Sequence, residues 1–159
     1  MRKALLLALA FGLPAAIAAD EAKGKPVEAQ VHSGYFEKNN AGLKGEASYL
    51  AFTDKDAFDK IFGTAVVMGK KPNFLAKDAF DNKLVVAVIK RGDAVTEYDV
   101  EKVTADNGKL YVQYKAKTKG SGGTARYASP LIVSVDRGKY NEVEFIENGK
   151  KVGSAKMGK

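Results

Sequence analysis

Hydrophobic positions along this chain change period several times, and each change marks an element. An apolar run at 4–13 ends at Pro14, and small residues then lead into the polar stretch DEAKGKPVE at 20–28. Alternation starts at 31–37 (VHSGYFE) and returns at 46–52 (EASYLAF), where Ala47, Tyr49 and Ala51 interleave with Ser48, Leu50 and Phe52. Period two predicts a strand in each. The spacing then becomes helical at Ala57, Phe58, Ile61 and Phe62, with Thr53 as the expected N-cap, Asp56 three residues on, and Gly63 as the stop. A second helical turn is expected near 76–80. LVVAVI at 84–89 is too short for a helix and rich in β-branched residues, which predicts a strand buried on both faces.

Beyond it, Arg91-Gly92-Asp93 reads as a turn into a strand at 95–103. Asp106-Asn107-Gly108 then links that strand to another at 109–117, because Asn-Gly between alternating runs is a strong hairpin signal. Leu110, Val112, Tyr114 and Ala116 share one face of the second strand. TKGSGGT at 118–124 is a glycine-rich loop, and strands follow at 131–135 and 141–147 around the turn at 136–139. Asn148-Gly149 turns the chain into a short last strand at 150–155. About seven strands with one or two short helices imply an α+β domain, mostly antiparallel sheet or a small sandwich.

The first nineteen residues pair the cationic Arg2 and Lys3 with that apolar run and an Ala16-Ile17-Ala18 processing pattern. This is the layout of a secretory signal peptide. The expectation is export to the periplasm or beyond, with 1–19 removed, a flexible lead-in at 20–30, and a single β-rich domain at 31–159. The chain has no cysteine. That excludes a disulfide framework, a thiolate nucleophile, a Cys-ligated zinc and a lipidated cysteine. The formal charge is +7; without Arg2 and Lys3, 24 basic side chains face 19 acidic ones, or +5. Most of the excess is lysine dispersed among carboxylates, which favours solubility and argues against a specific nucleic-acid stripe.

The order TDKDAFDKIFG, AFDNKLVVAVIKRG, DNGKLYVQYKAKTKGSGG and ASPLIVSVDRGKYNEVEFIENGK runs from about 53 to 152. In that order and spacing the segment resembles the C-terminal domain family of PrcB, a subunit of a secreted protease complex. The best-matched features are Phe80-Asp81 before the LVVAV strand, the hairpin into a glycine-bearing loop, and Ser129-Pro130 ahead of LIVSV. Near Tyr98 the family's paired glycines are missing. The resemblance implies a secreted accessory or binding domain whose partner is another exported protein, with a protease or other hydrolase as candidates. The words SGGTARYA and YKAKTKG resemble segments of periplasmic lysozyme inhibitors in a different order, which implies the alternative of a periplasmic inhibitor of a cell-wall or proteolytic hydrolase.

Catalytic chemistry has few carriers. His32 is the sole histidine, read as an exposed residue near the start of the domain, and Ser121 sits in a loop without the G-x-S-x-G elbow. Asp54, Asp56 and Asp59 interleave with Lys55 and Lys60 as a solvated helix face. No enzyme activity, cofactor or metal is expected, nor a membrane span. The stretch 115–127 is the expected interaction site, with Lys117, Lys119, Ser121, Arg126 and Tyr127 as partner-binding residues. Its cations, glycine-freed backbone donors and terminal aromatic suit an acidic partner.

Overall fold

The computed structural model describes residues 24–66, 69, 71–120 and 124–157, so the leader at 1–19, the first part of the lead-in and Ser121 lie outside the described residues. In chain order the elements are β1 (Lys25–Pro26), β2 (Ala29–His32), β3 (Tyr35–Glu37), β4 (Ala47–Phe52), α1 (Lys55–Ile61), β5 (Phe62–Thr64), α2 (Ala79–Asn82), β6 (Lys83–Gly92), β7 (Val95–Asp106), β8 (Lys109–Lys119), β9 (Tyr127–Asp136), β10 (Glu142–Glu147) and β11 (Lys150–Lys156).

Both Asn-Gly pairs make the expected tight turns. Asn107 (φ 48°) with Gly108 (φ 77°) and Asn148 (φ 50°) with Gly149 (φ 79°) occupy the left-handed region, where the turn's twist matches that of its strands. The first pair joins β7 to β8 and the second joins β10 to β11. β10 then runs parallel to β8, giving a five-stranded sheet ordered β1-β7-β8-β10-β11. A four-stranded sheet, β2-β9-β6-β4, is antiparallel throughout.

The two sheets enclose one core. Leu84, Val86 and Val88 of β6 and Leu131, Val133 and Val135 of β9 meet Leu110, Val112 and Tyr114 of β8 and Val143 and Phe145 of β10. The alternate residues of β6 (Val85, Ala87 and Ile89) point the other way, with Ile132, into a second cluster built on Phe52, Phe58 and Phe62. α1 and the two-stranded β3–β5 sheet thus form a third layer, and 84–89 is buried on both faces as its composition implies. The mostly antiparallel α+β sandwich with two short helices agrees with the expected fold class.

Several local expectations are corrected. The lead-in at 25–30 is paired: Lys25 lies opposite Ala105 and Gln30 opposite Ser134. The strand expected at 31–37 is broken at Gly34 (φ 87°), and its two halves join different sheets. Asp54, not Thr53, caps α1, because the Asp54 carboxylate accepts from the Ala57 N–H at 2.8 Å. Gly63 does not stop that helix, which already ends at Ile61; the residue stays bare because a Cβ there would lie 2.5 Å from the Phe36 ring. β6 runs on through Arg91 and Gly92. Arg91 is held by a two-pronged pair with Glu37 at 2.6 and 2.8 Å.

Candidate functional site

The described members of the expected partner-binding set, Lys117, Lys119, Arg126 and Tyr127, lie toward one end of the sandwich but do not share a face. β6 ends with Gly92 opposite Tyr127, and β7 begins with Val95 opposite Lys119. A bend of two residues connects them, so Val95, Lys119 and Tyr127 come to the same rim. Strand alternation then divides the set. Lys115, Lys117 and Lys119 lie on the face of β8 opposite to the buried Leu110, Val112 and Tyr114. Tyr127 shares its side of β9 with Ser129 and Leu131, which face between the sheets.

Charge pairing divides them again. Lys119 meets Glu97 at 2.7 Å and Lys115 meets Glu101 at 2.6 Å. Lys117 and Arg126 have no ion pair among the described residues. Val95 and Tyr127 are 42% and 44% exposed, large apolar surfaces left at the same rim. A groove of about 210 Å³ runs below them, lined by Glu97, Tyr98, Asp99, Lys115 and Lys117.

Under the rim the core closes with a polar plug that the sequence reading missed. The Tyr98 hydroxyl donates to the Ser129 carbonyl at 2.8 Å, and the Thr96 N–H donates to the Ser129 Oγ at 2.9 Å. Lys90 meets Glu147 at 2.6 Å, and the Tyr114 hydroxyl donates to the other Glu147 oxygen at 3.2 Å. Burial first, and then the Glu147 carboxylate, push both tyrosines above the ordinary phenol range, so they stay protonated donors. Asn148 extends the plug by bonding the backbone of Ala116 through both ends of its amide. The available signal was a tyrosine on the inward face of each hairpin strand, since a buried phenol needs a polar partner.

A second polar cluster lies on the opposite edge. His32 is buried, not exposed, with 7% of its surface accessible, because β2 joins the sheet and carries it under the segment 73–76. Its Nε2 lies 2.8 Å from the Ser134 Oγ. The two line a cleft of about 190 Å³ with Gln30, Asp78, Asn82 and Lys83. A catalytic triad needs a carboxylate on Nδ1, and that nitrogen has no hydrogen-bond partner among the described residues. Ser134 sits mid-strand, paired with Gln30 on one side and Val85 on the other. The bond ties β2 to β9.

Two of the three aspartates at α1 are engaged locally: Asp54 caps the helix and Asp59 pairs with Lys55. Among the described residues no three His, Asp or Glu side chains gather as a metal site, and no helix is long and apolar enough to cross a membrane. Comparison with family models, curated proteins and solved structures returns no match for this chain.

Proposed function

We propose that this protein is a secreted, non-enzymatic binding domain that docks another exported protein, a protease among the candidates, through the rim at 95–127. The observation that carries the reading is the gathering at one rim, on its two faces, of exposed Val95 and Tyr127 and of Lys117 and Arg126, cations that have no ion pair among the described residues. Aromatic and arginine side chains are the residues that most often dominate binding energy at an interface. The two cations would steer the rim toward an acidic surface, while the hydrogen-bonded plug beneath holds it rigid and limits the ordering cost of binding. The resemblance of residues 53–152 to a secreted accessory domain points the same way.

The test is crosslinking capture of the processed protein from its own exported fraction, read by mass spectrometry. A discrete protein linked at Lys117 or Lys119, and lost from an Arg126→Ala/Tyr127→Ala double variant with an unchanged melting curve, supports the reading. Capture that survives the double variant removes the rim from consideration. Recovery of polyanions alone, released by salt, overturns the protein-partner reading.

A further inference from the structure

Two short words of the chain nearly repeat each other: Asp106-Asn107-Gly108-Lys109 and Glu147-Asn148-Gly149-Lys150, which hold the only Asn-Gly pairs in the sequence. Asparagine is a chemically labile residue, most of all before glycine, whose amide nitrogen no side chain shields. That nitrogen can attack the asparagine Cγ. The new N–Cγ bond closes a five-membered succinimide, the Cγ–Nδ2 bond breaks, and Nδ2 leaves as ammonia with the proton of the glycine amide. Water then opens the ring to aspartate or isoaspartate. The backbones of the two turns are matched as well: Asn107 and Gly108 stand at φ 48° and 77°, Asn148 and Gly149 at 50° and 79°. Both asparagines are exposed. We infer that Asn107 is a site of spontaneous deamidation, and that tertiary contacts protect Asn148 from the same reaction.

The difference lies in what holds each side chain. The Asn107 amide makes one bond among the described residues, from Nδ2 to the carboxylate of its neighbour Asp106 at 3.1 Å, and that bond is exposed. Gly108 is anchored through its carbonyl, which accepts from the Asn141 N–H at 2.7 Å. This contact fixes the turn but leaves the Asn107 side chain free to swing its Cγ toward the Gly108 nitrogen. At Asn148 one remote residue holds both ends of the amide. Oδ1 accepts from the Ala116 N–H at 3.1 Å, and Nδ2 donates to the Ala116 carbonyl at 3.3 Å. The Asn148 N–H is fixed too, on the Tyr114 carbonyl at 2.9 Å. Glu147 lies opposite Tyr114 in the parallel pairing of β10 with β8, so the Asn148 side chain carries that pairing one step further along β8. Turning its Cγ onto the Gly149 nitrogen breaks both bonds to Ala116. Each bond that must open first lowers the reactive population by up to about tenfold. The consequences divide the same way. Loss of the Asn107 amide adds a negative charge at the end of the β7–β8 hairpin remote from Val95 and Lys119, whereas loss of the Asn148 amide would strip Ala116 of a donor beside the Tyr114–Glu147 contact.

The experiment is a time course on the whole protein at mildly alkaline pH, where the attacking nitrogen loses its proton most readily. Samples are digested and read by tandem mass spectrometry for the mass gain of amide to acid at each site. A parallel series in urea supplies the unfolded chain, in which the two words keep their local sequence and lose their tertiary contacts. The expected result is conversion at Asn107 about tenfold or more faster than at Asn148 in the folded protein, and comparable rates at the two sites in urea. A smaller ratio in the folded protein, or the reverse order, overturns the inference. A preference for Asn107 that is equally large in urea assigns it to local sequence and overturns it too.

Discussion

Replacing Phe58 by alanine tests whether the third layer is part of the cooperative fold. Phe58 is 2% exposed, and its ring touches four others: Tyr35 at 5.3 Å, Phe52 at 5.4 Å, Phe62 at 4.8 Å and Phe80 at 5.6 Å between centroids. Removing a buried phenylalanine ring costs roughly 3–5 kcal/mol through lost transfer energy and the cavity left behind. Surrounding rings are rigid and fill a void poorly, so about 4 kcal/mol is expected. Because Val85, Ala87 and Ile89 join this cluster while their strand neighbours Leu84, Val86 and Val88 fill the other, the loss should reach the whole sandwich. In urea, with a slope near ~2 kcal/mol per molar, the midpoint should fall by about 2 M at unchanged slope. Phe58→Leu, which keeps most of the volume, should cost only about 1–1.5 kcal/mol. A loss below about 1.5 kcal/mol for the alanine variant, or a second transition at lower urea, would refute the reasoning. Either result would mean that the third layer unfolds on its own.

Glu37→Gln leaves the Arg91 guanidinium, 13% exposed, without its charge partner and should destabilise by about 3 kcal/mol in the same assay; a loss under ~1 kcal/mol would show that the pair does not anchor β3 to β6. Gly153→Ala places a Cβ 2.3 Å from the Tyr49 ring and should cost about 1–3 kcal/mol. Adding Tyr49→Ala should make the pair of changes less than additive, and strict additivity would disprove that contact. Hydrogen bonds from Lys109 hold the Glu142 and Glu144 carboxyls below the ordinary carboxylate range. Their contribution is therefore present above that range and lost as pH falls through it. Lys109→Ala should flatten the acid limb of a stability–pH curve, and an unaltered limb would count against the lattice. For the rim, Arg126→Ala should weaken capture of a protein partner more than Lys119→Ala does, because Lys119 is already paired with Glu97; equal losses in a binding titration would remove that distinction.

What could be read from the sequence was what neighbouring residues decide among themselves. Two Asn-Gly pairs predicted two turns, because only residues that tolerate positive φ can make them. Six apolar residues at 84–89 predicted a doubly buried strand, because period and length are local quantities. The exposed rim was legible in part: 117–127 was correctly seen as polar and glycine-rich, but a linear reading cannot tell which side of a strand faces a neighbour. Lys117 and Tyr127 therefore looked like one site, although alternation turns them to different faces.

The remainder depended on segments far apart in the chain. Nothing near residue 30 announces that β2 will pair with β9 about a hundred residues later, and without that pairing His32 reads as an exposed side chain at a mobile terminus. Gly63 looked like a helix stop until Phe36 lay across it. The Tyr98, Tyr114 and Glu147 plug exists only because β10 returns parallel to β8 and brings Glu147 under the two phenols. Periodicity and turn chemistry act over a few residues, and they determined the elements. Sheet order, burial of polar groups and close backbone approach are set by which remote surfaces exclude water together, so only the tertiary structure decided them.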